Sequence, residues 1–75
     1  MFEKLKNILV EELSLNADDI TMTAELTNDL GINSLELAEL AITCEEMFDV
    51  EIKDDDLRKF ITIGDVVAYL EAAQA

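Results

Sequence analysis

The stretch GINSLELAEL, residues 31–40, contains a serine hydroxyl where it could carry a covalently attached group. The spacing predicts a helix start in which Asn33 is the N-cap and Glu36, three residues later, completes a capping box. Ser34 then has no capping role, and its hydroxyl is free in the first turn. Backbone N–H groups and the positive end of the helix dipole favour a phosphate at this position. The sequence therefore predicts a phosphate-linked modification at Ser34; the alternative is a purely local structural role.

Catalysis by this chain is not expected, because the side chains that activate nucleophiles are missing or out of place. There is no histidine, the usual general base near neutral pH, and no recognisable Ser/Lys spacing. The single cysteine, Cys44, falls on the core face of its predicted helix, as a small buried hydrophobe does. The run Asp54–Asp56 lacks the ligand spacing of a calcium loop, so we expect no metal site. A hydrolase that uses carboxylates has no paired motif to support it.

A second apolar strip lies on the predicted helix that begins at Ser34, on the side away from its core face. At 100° per residue, Leu35, Ala38 and Ile42 fall together, and we call these three residues the docking strip. Its acidic neighbours are Glu39 and Glu46 at the border, with Glu36 and Glu45 further round. Such a strip suits a partner whose hydrophobic groove is surrounded by Lys or Arg. The alternative is scattered surface hydrophobes, which are common.

Charge restricts the partners further. Eighteen acids and five bases give a net charge of −13, beyond the magnitude of about 2–8 suggested for small soluble domains. All five bases lie outside residues 7–52, whereas twelve acids lie inside. Such a field repels nucleic acid and anionic lipid and attracts basic protein surfaces. We therefore expect protein partners, no nucleic acid and no insertion into a membrane.

The hydrophobic periodicity predicts an all-α fold, a small bundle of three main helices plus one short helix in a single domain, residues 1–75. The first helix covers about residues 2–14 and the second about 34–48. A long first loop joins them, and Gly31 supplies a permissive backbone just before the second helix. The apolar residues spaced to anchor this loop are Ile20, Met22, Leu26, Leu30 and Ile32. We predict one helical turn from Leu26 to Leu30.

The two remaining helices are predicted from capping signals. In KDDDLRKF, Asp54 is the expected cap of the short helix. Thr62 and Asp65 form the capping box of the last helix, which ends near Ala73. The predicted inward residues of this helix are Ile63, Val66, Val67, Leu70 and Ala73. The predicted core stripe of the second helix is Leu37, Leu40, Ala41, Cys44, Met47 and Phe48.

The stretch DLGINSLELAEL resembles the modification motif of acyl carrier proteins, in which Gly-x-Asp-Ser-Leu bears 4′-phosphopantetheine on the serine. The likeness covers nearly the whole chain. FEKLKNILVEEL, EEMFDVEI and TIGDVVAYLEAAQA stand where that family has its first helix, the end of its second helix and its fourth helix. The resemblance implies a non-enzymatic carrier that holds acyl intermediates as thioesters on its phosphopantetheine arm.

The resemblance also implies roles for particular residues. Ser34 matches the attachment serine. The positions matching the family's enzyme-docking surface are Leu35, Glu36, Ala38, Glu39, Ile42, Glu45 and Glu46. The resemblance implies an acyl chain that folds back into the core, and the predicted core stripes place its pocket against Leu40, Cys44, Leu57, Phe60, Val66 and Tyr69. The implied partners are a phosphopantetheinyl transferase and acyl-loading, condensing and reducing enzymes with basic docking patches, in fatty acid or polyketide-type synthesis.

Three positions depart from the family pattern. Asn33 replaces the usual aspartate, so the cap is kept but one negative charge is lost, which leaves a specialised pathway open. Ser14 stands at a common glycine, and Lys53 at a common proline. An aminoacyl or peptidyl carrier is an alternative, although Ile32 occupies the place of that branch's second glycine. The other alternative is an acidic helical interaction module without a prosthetic group. In either case we expect a cytoplasmic monomer.

Overall fold

The computed structural model describes residues 1–74 and is all-α in those residues, with three long helices and one short helix. The helices are α1 (Phe2–Leu13), α2 (Ser34–Phe48), α3 (Asp54–Leu57) and α4 (Ile63–Gln74). A single antiparallel bridge joins Glu25 to Thr62, and the described residues contain no β-strand. The predicted fold class and helix order are therefore confirmed.

Helix α1 packs one apolar face into the core and ends in a left-handed residue. Leu5, Ile8 and Leu9 are buried, as their helical spacing predicts. The helix stops at Ser14, whose φ of 56° and ψ of 34° lie in the left-handed region. Side chains with a Cβ adopt this conformation at a cost of roughly 1–2 kcal/mol, which glycine avoids.

We expect Ser14→Gly to stabilise the fold. The relief of the left-handed conformation exceeds the extra chain entropy of glycine, so unfolding should cost about 0.5–1 kcal/mol more. Thermal denaturation should show a Tm higher by about 2–8 °C. Asp49, at φ 53°, is the matched control. Because Asp tolerates this region better than Ser, Asp49→Gly should gain less; an equal or lower Tm for Ser14→Gly would contradict the prediction.

The long first loop contains a 3-10 helix, Ala17–Asp19, that the sequence did not predict. Asn16 caps it, because its Oδ1 accepts the Asp18 N–H at 3.0 Å. Further along, Glu25 and Leu30 are linked by a backbone hydrogen bond of 3.0 Å within a series of turns. Buried residues then anchor the loop to the core. They are Ile20, Ala24, Leu26 and Ile32.

Met22 does not anchor the loop, contrary to the prediction, because its side chain is 46% exposed. The Met22 backbone supplies a contact instead: its carbonyl accepts the Gly64 N–H at 2.8 Å. A Cβ on Gly64 would lie 2.9 Å from that carbonyl oxygen, so the approach requires glycine. Two more backbone bonds tie this loop to the start of α4, Leu26 N to Ile61 O at 2.8 Å and Ile63 N to Ala24 O at 3.0 Å.

The caps of the last two helices give one correction and one confirmation. Asp54 is the first residue of α3 rather than its cap; Lys53 holds the cap position and makes no side-chain cap bond. The capping box of α4 forms as predicted. Asp65 Oδ2 accepts the Thr62 N–H at 3.0 Å, and Thr62 Oγ1 accepts the Asp65 N–H at 3.2 Å. The N–H groups of Thr62 and Ile61 lower the pKa of Asp65, because they stabilise its ionised form.

Two residues predicted to face the core are exposed. Met47 is 65% exposed, because it lies at the edge of the α2 core stripe and the neighbouring helices do not cover it. Ala73 is also exposed, in the last turn of α4, beyond the buried Leu70. That turn contacts α2 through Gln74, whose Nε2 donates to the Phe48 carbonyl at 3.2 Å.

Candidate functional site

The Ser34 hydroxyl is exposed at the start of α2 and free of the hydrogen bonds that cap this helix. Asn33 Oδ1 accepts the Glu36 N–H at 2.8 Å, and Glu36 Oε1 accepts the Asn33 N–H at 3.2 Å. The predicted capping box is therefore present. Within residues 1–74, no hydrogen bond recorded for this helix start uses the serine side chain.

The loop before α2 fixes where Ser34 stands. Gly31 has φ 68°, a left-handed conformation that glycine adopts without strain, and its N–H bonds the Thr27 carbonyl at 3.1 Å. Ile32 is 3% exposed, and its N–H bonds the Leu26 carbonyl at 2.9 Å. The serine is thus exposed two residues after the buried Ile32. Backbone hydrogen bonds fix the chain before Ser34, and the capping box fixes the helix that begins there.

This geometry fits a phosphate-linked group. The hydroxyl is accessible from solvent and lies at the positive end of a 15-residue helix, where N–H groups stabilise negative oxygens. Ser34 also lines a surface groove of about 490 Å³, which gives an attached group a surface to follow. The lining residues are Thr27, Ser34, Leu37, Asp54, Leu57, Arg58 and Phe60.

The docking strip is present on the surface of α2. Leu35 is 69% exposed and Ile42 is 56% exposed, while Ala38 between them is half-buried. Glu39 and Glu46 are exposed beside the strip. This face combines accessible apolar area with carboxylates, the two properties that the helical spacing predicts.

The other two acidic residues of this face hold the local structure as well. Glu36 uses Oε1 in the capping box, and Glu45 accepts the Ile52 N–H through Oε2 at 3.1 Å. Both residues are half-buried. Each carboxylate keeps further acceptor positions, because an ionised carboxylate accepts about four hydrogen bonds. Glu39 and Glu46 are thus the two acidic residues of this face whose carboxylates are least engaged in hydrogen bonds within the chain.

A small apolar cavity of about 10 Å³ lies between α2, α3 and α4. Its lining residues are Leu37, Leu40, Ala41, Cys44, Ile52, Leu57, Phe60 and Val66. Five of the six residues in the predicted acyl pocket are among them. Leu37, Ala41 and Ile52 were not predicted to line it, although the first two lie on the predicted core stripe of α2.

Tyr69, the sixth residue of the predicted pocket, does not line the cavity. Its ring meets the Phe60 ring edge-on, with centroids 5.4 Å apart. Its hydroxyl oxygen lies 3.0 Å from both the Glu51 carbonyl and Asp56 Oδ2, and these two acceptors share its one proton. Desolvation and the Asp56 carboxylate raise the pKa of Tyr69. Tyr69 therefore links α3 to α4 beside the cavity wall.

Cys44 is buried and should be unreactive in the folded chain. Burial, followed by the Glu45 carboxylate, raises the pKa of its thiol from 9.0 to about 11. The thiolate fraction is then about 100-fold lower than in the unfolded chain, and alkylation should slow at least in proportion. Intact mass after iodoacetamide treatment of the apo chain at pH 8, native against denatured, measures this ratio; equal rates would show that the cavity opens freely.

Within the described part of the chain, no helix is long and apolar enough to cross a membrane. The same residues contain no cluster of three or more His, Cys, Asp or Glu side chains that could hold a metal ion. The Asp54–Asp56 run accordingly forms no such cluster.

Comparison with known proteins identifies the family. The family model described as "Phosphopantetheine attachment site" matches residues 3–70. The acyl carrier protein of Clostridium perfringens is 47% identical over 70 residues, which cover 93% of this chain and 92% of the relative. The acyl carrier protein of Campylobacter lari is 43% identical over 74 residues, with 99% and 96% coverage. The chain therefore belongs to the phosphopantetheine-attachment family and, within it, to the acyl carrier proteins.

The fold agrees with this membership. The crystal structure of an acyl carrier protein from Thermotoga maritima superposes with a TM-score of 0.84 at 18% identity, covering 95% of this chain and 82% of that one. Acyl carrier proteins bear phosphopantetheine, are carriers rather than catalysts, and interact with synthesis enzymes and transferases. The match favours a carrier over an interaction module that lacks a prosthetic group.

Proposed function

We propose that Ser34 is the residue that takes the phosphopantetheine arm, and that this chain carries acyl intermediates through fatty acid or polyketide-type synthesis without itself catalysing a reaction. The observation that supports this most directly is the exposed Ser34 hydroxyl, which the Asn33–Glu36 capping box leaves unused. When attached, the arm supplies a thiol that holds an acyl group as a thioester. This chain would position the arm, keep it accessible and present a surface that partner enzymes recognise.

Attachment at Ser34 requires one exchange of bonds. Ser34 Oγ forms a bond to the phosphorus of a phosphopantetheinyl donor, the donor's own P–O bond to its leaving group breaks, and the hydroxyl proton passes to a base of the transferase. This chain contains no histidine to take that proton. The transferase therefore contributes the base, and Ser34 contributes an accessible oxygen at the positive helix end.

The docking strip and its carboxylates would present the carrier to its enzymes. The proposed partners are the transferase and acyl-loading, condensing and reducing enzymes that have basic patches. Exposed Leu35 and Ile42 would supply apolar contact, while Glu39 and Glu46 would speed encounter and set orientation. The single free thiol fits a reducing compartment, so we propose that the carrier works in the cytoplasm as a monomer.

The cavity between α2, α3 and α4 is the proposed destination of the acyl chain. Leu40, Cys44 and Val66 form its α2 and α4 walls, and Leu57 and Phe60 close it on the α3 side. At about 10 Å³ it has room for about one water molecule. An acyl chain would therefore have to widen it, and the four-residue helix α3 is the shortest element on its boundary.

Loading in vitro tests the proposed function. The purified chain is treated with a phosphopantetheinyl transferase and its donor, and then with an acyl-loading enzyme, and intact mass is recorded after each step. The expected result is one added arm followed by one added acyl group that hydroxylamine removes, as it removes thioesters. A chain that gains no arm, yet is required in its pathway, would favour the interaction module instead.

A further inference from the structure

We propose that Arg58 binds the phosphodiester of the arm and holds the arm in the groove that leads from Ser34 over α3. The inference rests on the proposed attachment at Ser34. The observation that supports this contact most directly is that Ser34 and Arg58 line the same groove of about 490 Å³. Arg58 is the one base among its seven lining residues, and it is exposed.

Charge complementarity is the first argument for this occupant. A phosphodiester adds a negative charge to a chain whose net charge is already −13, and Asp54 contributes a carboxylate to the same groove. Arg58 is a cation in the same groove that can offset both charges. The planar guanidinium of arginine suits this role, because it can donate two parallel hydrogen bonds to phosphate oxygens.

The groove's apolar lining is the second argument. Leu37, Leu57 and Phe60 line the groove and also line the cavity between α2, α3 and α4. The groove and the cavity therefore share these three side chains. These three residues would give an arm whose phosphodiester is held by Arg58 an apolar surface to contact. An arm without that contact is more free to extend into solvent.

Comparison of apo and holo chains by ¹H–¹⁵N NMR tests this inference. In the wild type at low salt, adding the arm should shift the amide signals of Thr27, Leu57 and Phe60, which line the groove away from Ser34 itself. We expect Arg58→Gln to reduce these shifts by at least about half, and Arg58→Lys to retain part of them. Sodium chloride at about 0.5 M should weaken the wild-type shifts, since screening weakens exposed ion pairs.

Lys59→Gln is the matched control. It removes the same charge from the next residue, which is exposed and does not line the groove. Groove shifts that persist in Lys59→Gln and fall in Arg58→Gln support a specific contact. Equal shifts in the wild-type, Arg58→Gln and Lys59→Gln holo chains, or shifts confined to residues adjacent to Ser34, would overturn the inference and leave attachment intact. Intact mass separates the two failures, because a wild-type chain that gains no arm refutes the proposed attachment as well.

Discussion

Ser34→Ala is expected to abolish arm attachment completely while leaving the fold unchanged. The substitution removes the only atom proposed to form the new phosphorus bond. It removes no cap, since Asn33 and Glu36 close the capping box, and it removes no buried contact, since Ser34 is exposed. We therefore expect a stability change within about 0.5 kcal/mol, as for other surface substitutions. Intact mass after transferase treatment measures the modification, and thermal denaturation measures the fold.

The chain offers a natural control for this experiment, because it contains two serines. Ser14→Gly removes the other hydroxyl and should accept the arm as the wild type does. An arm that persists on Ser34→Ala would place the attachment elsewhere. Loss of the arm from Ser14→Gly with an intact fold would be equally damaging to the assignment.

Charge reversal beside the docking strip should have the second largest effect. In the double variant Glu39→Lys/Glu46→Lys, two exposed carboxylates become cations that repel a basic enzyme patch. The rate of modification by the transferase at subsaturating carrier should fall about 10- to 100-fold at low salt, because steering contributes factors of this size to association. The deficit should shrink at about 0.5 M salt, where the Debye length is only a few ångströms.

Glu12→Lys/Glu71→Lys is the control for net charge. It makes the same change at exposed positions of α1 and α4, away from the docking strip. If the two double variants lose rate equally, total charge rather than this face directs encounter. A separate variant, Leu35→Ala, should slow modification without the same salt dependence, since truncating an apolar contact weakens the complex through dissociation.

The helix starts were predictable because their signals are local. Asn33 with Glu36, and Thr62 with Asp65, each satisfy N–H groups three residues apart, so no distant contact is needed. The same reasoning identified Ser34 as the hydroxyl left over. It failed at Asp54, because the helix begins at that residue, so Lys53, which makes no side-chain cap bond, holds the cap position.

Burial was predictable only as an average over a helix face. The spacing gave the centre of the α2 stripe, where Leu40 and Cys44 are buried. At its edge the spacing could not say whether a neighbour would cover Met47, and none does. Likewise, the exposed Met22 side chain could not be told from its buried neighbours, since the loop's path follows backbone bonds to Ile61, Ile63 and Gly64.

The sequence by itself determined the all-α class, the free hydroxyl of Ser34 and the acidic face of α2, since each depends on residues within one or two helical turns. Tertiary structure alone decided that Leu57 and Phe60 share both the groove and the cavity, that Tyr69 stands outside that lining, and that Arg58 shares the groove with Ser34. The physical reason is distance along the chain. Ser34 and Arg58 belong to different helical segments, and only the packing of the core brings the two segments to one surface.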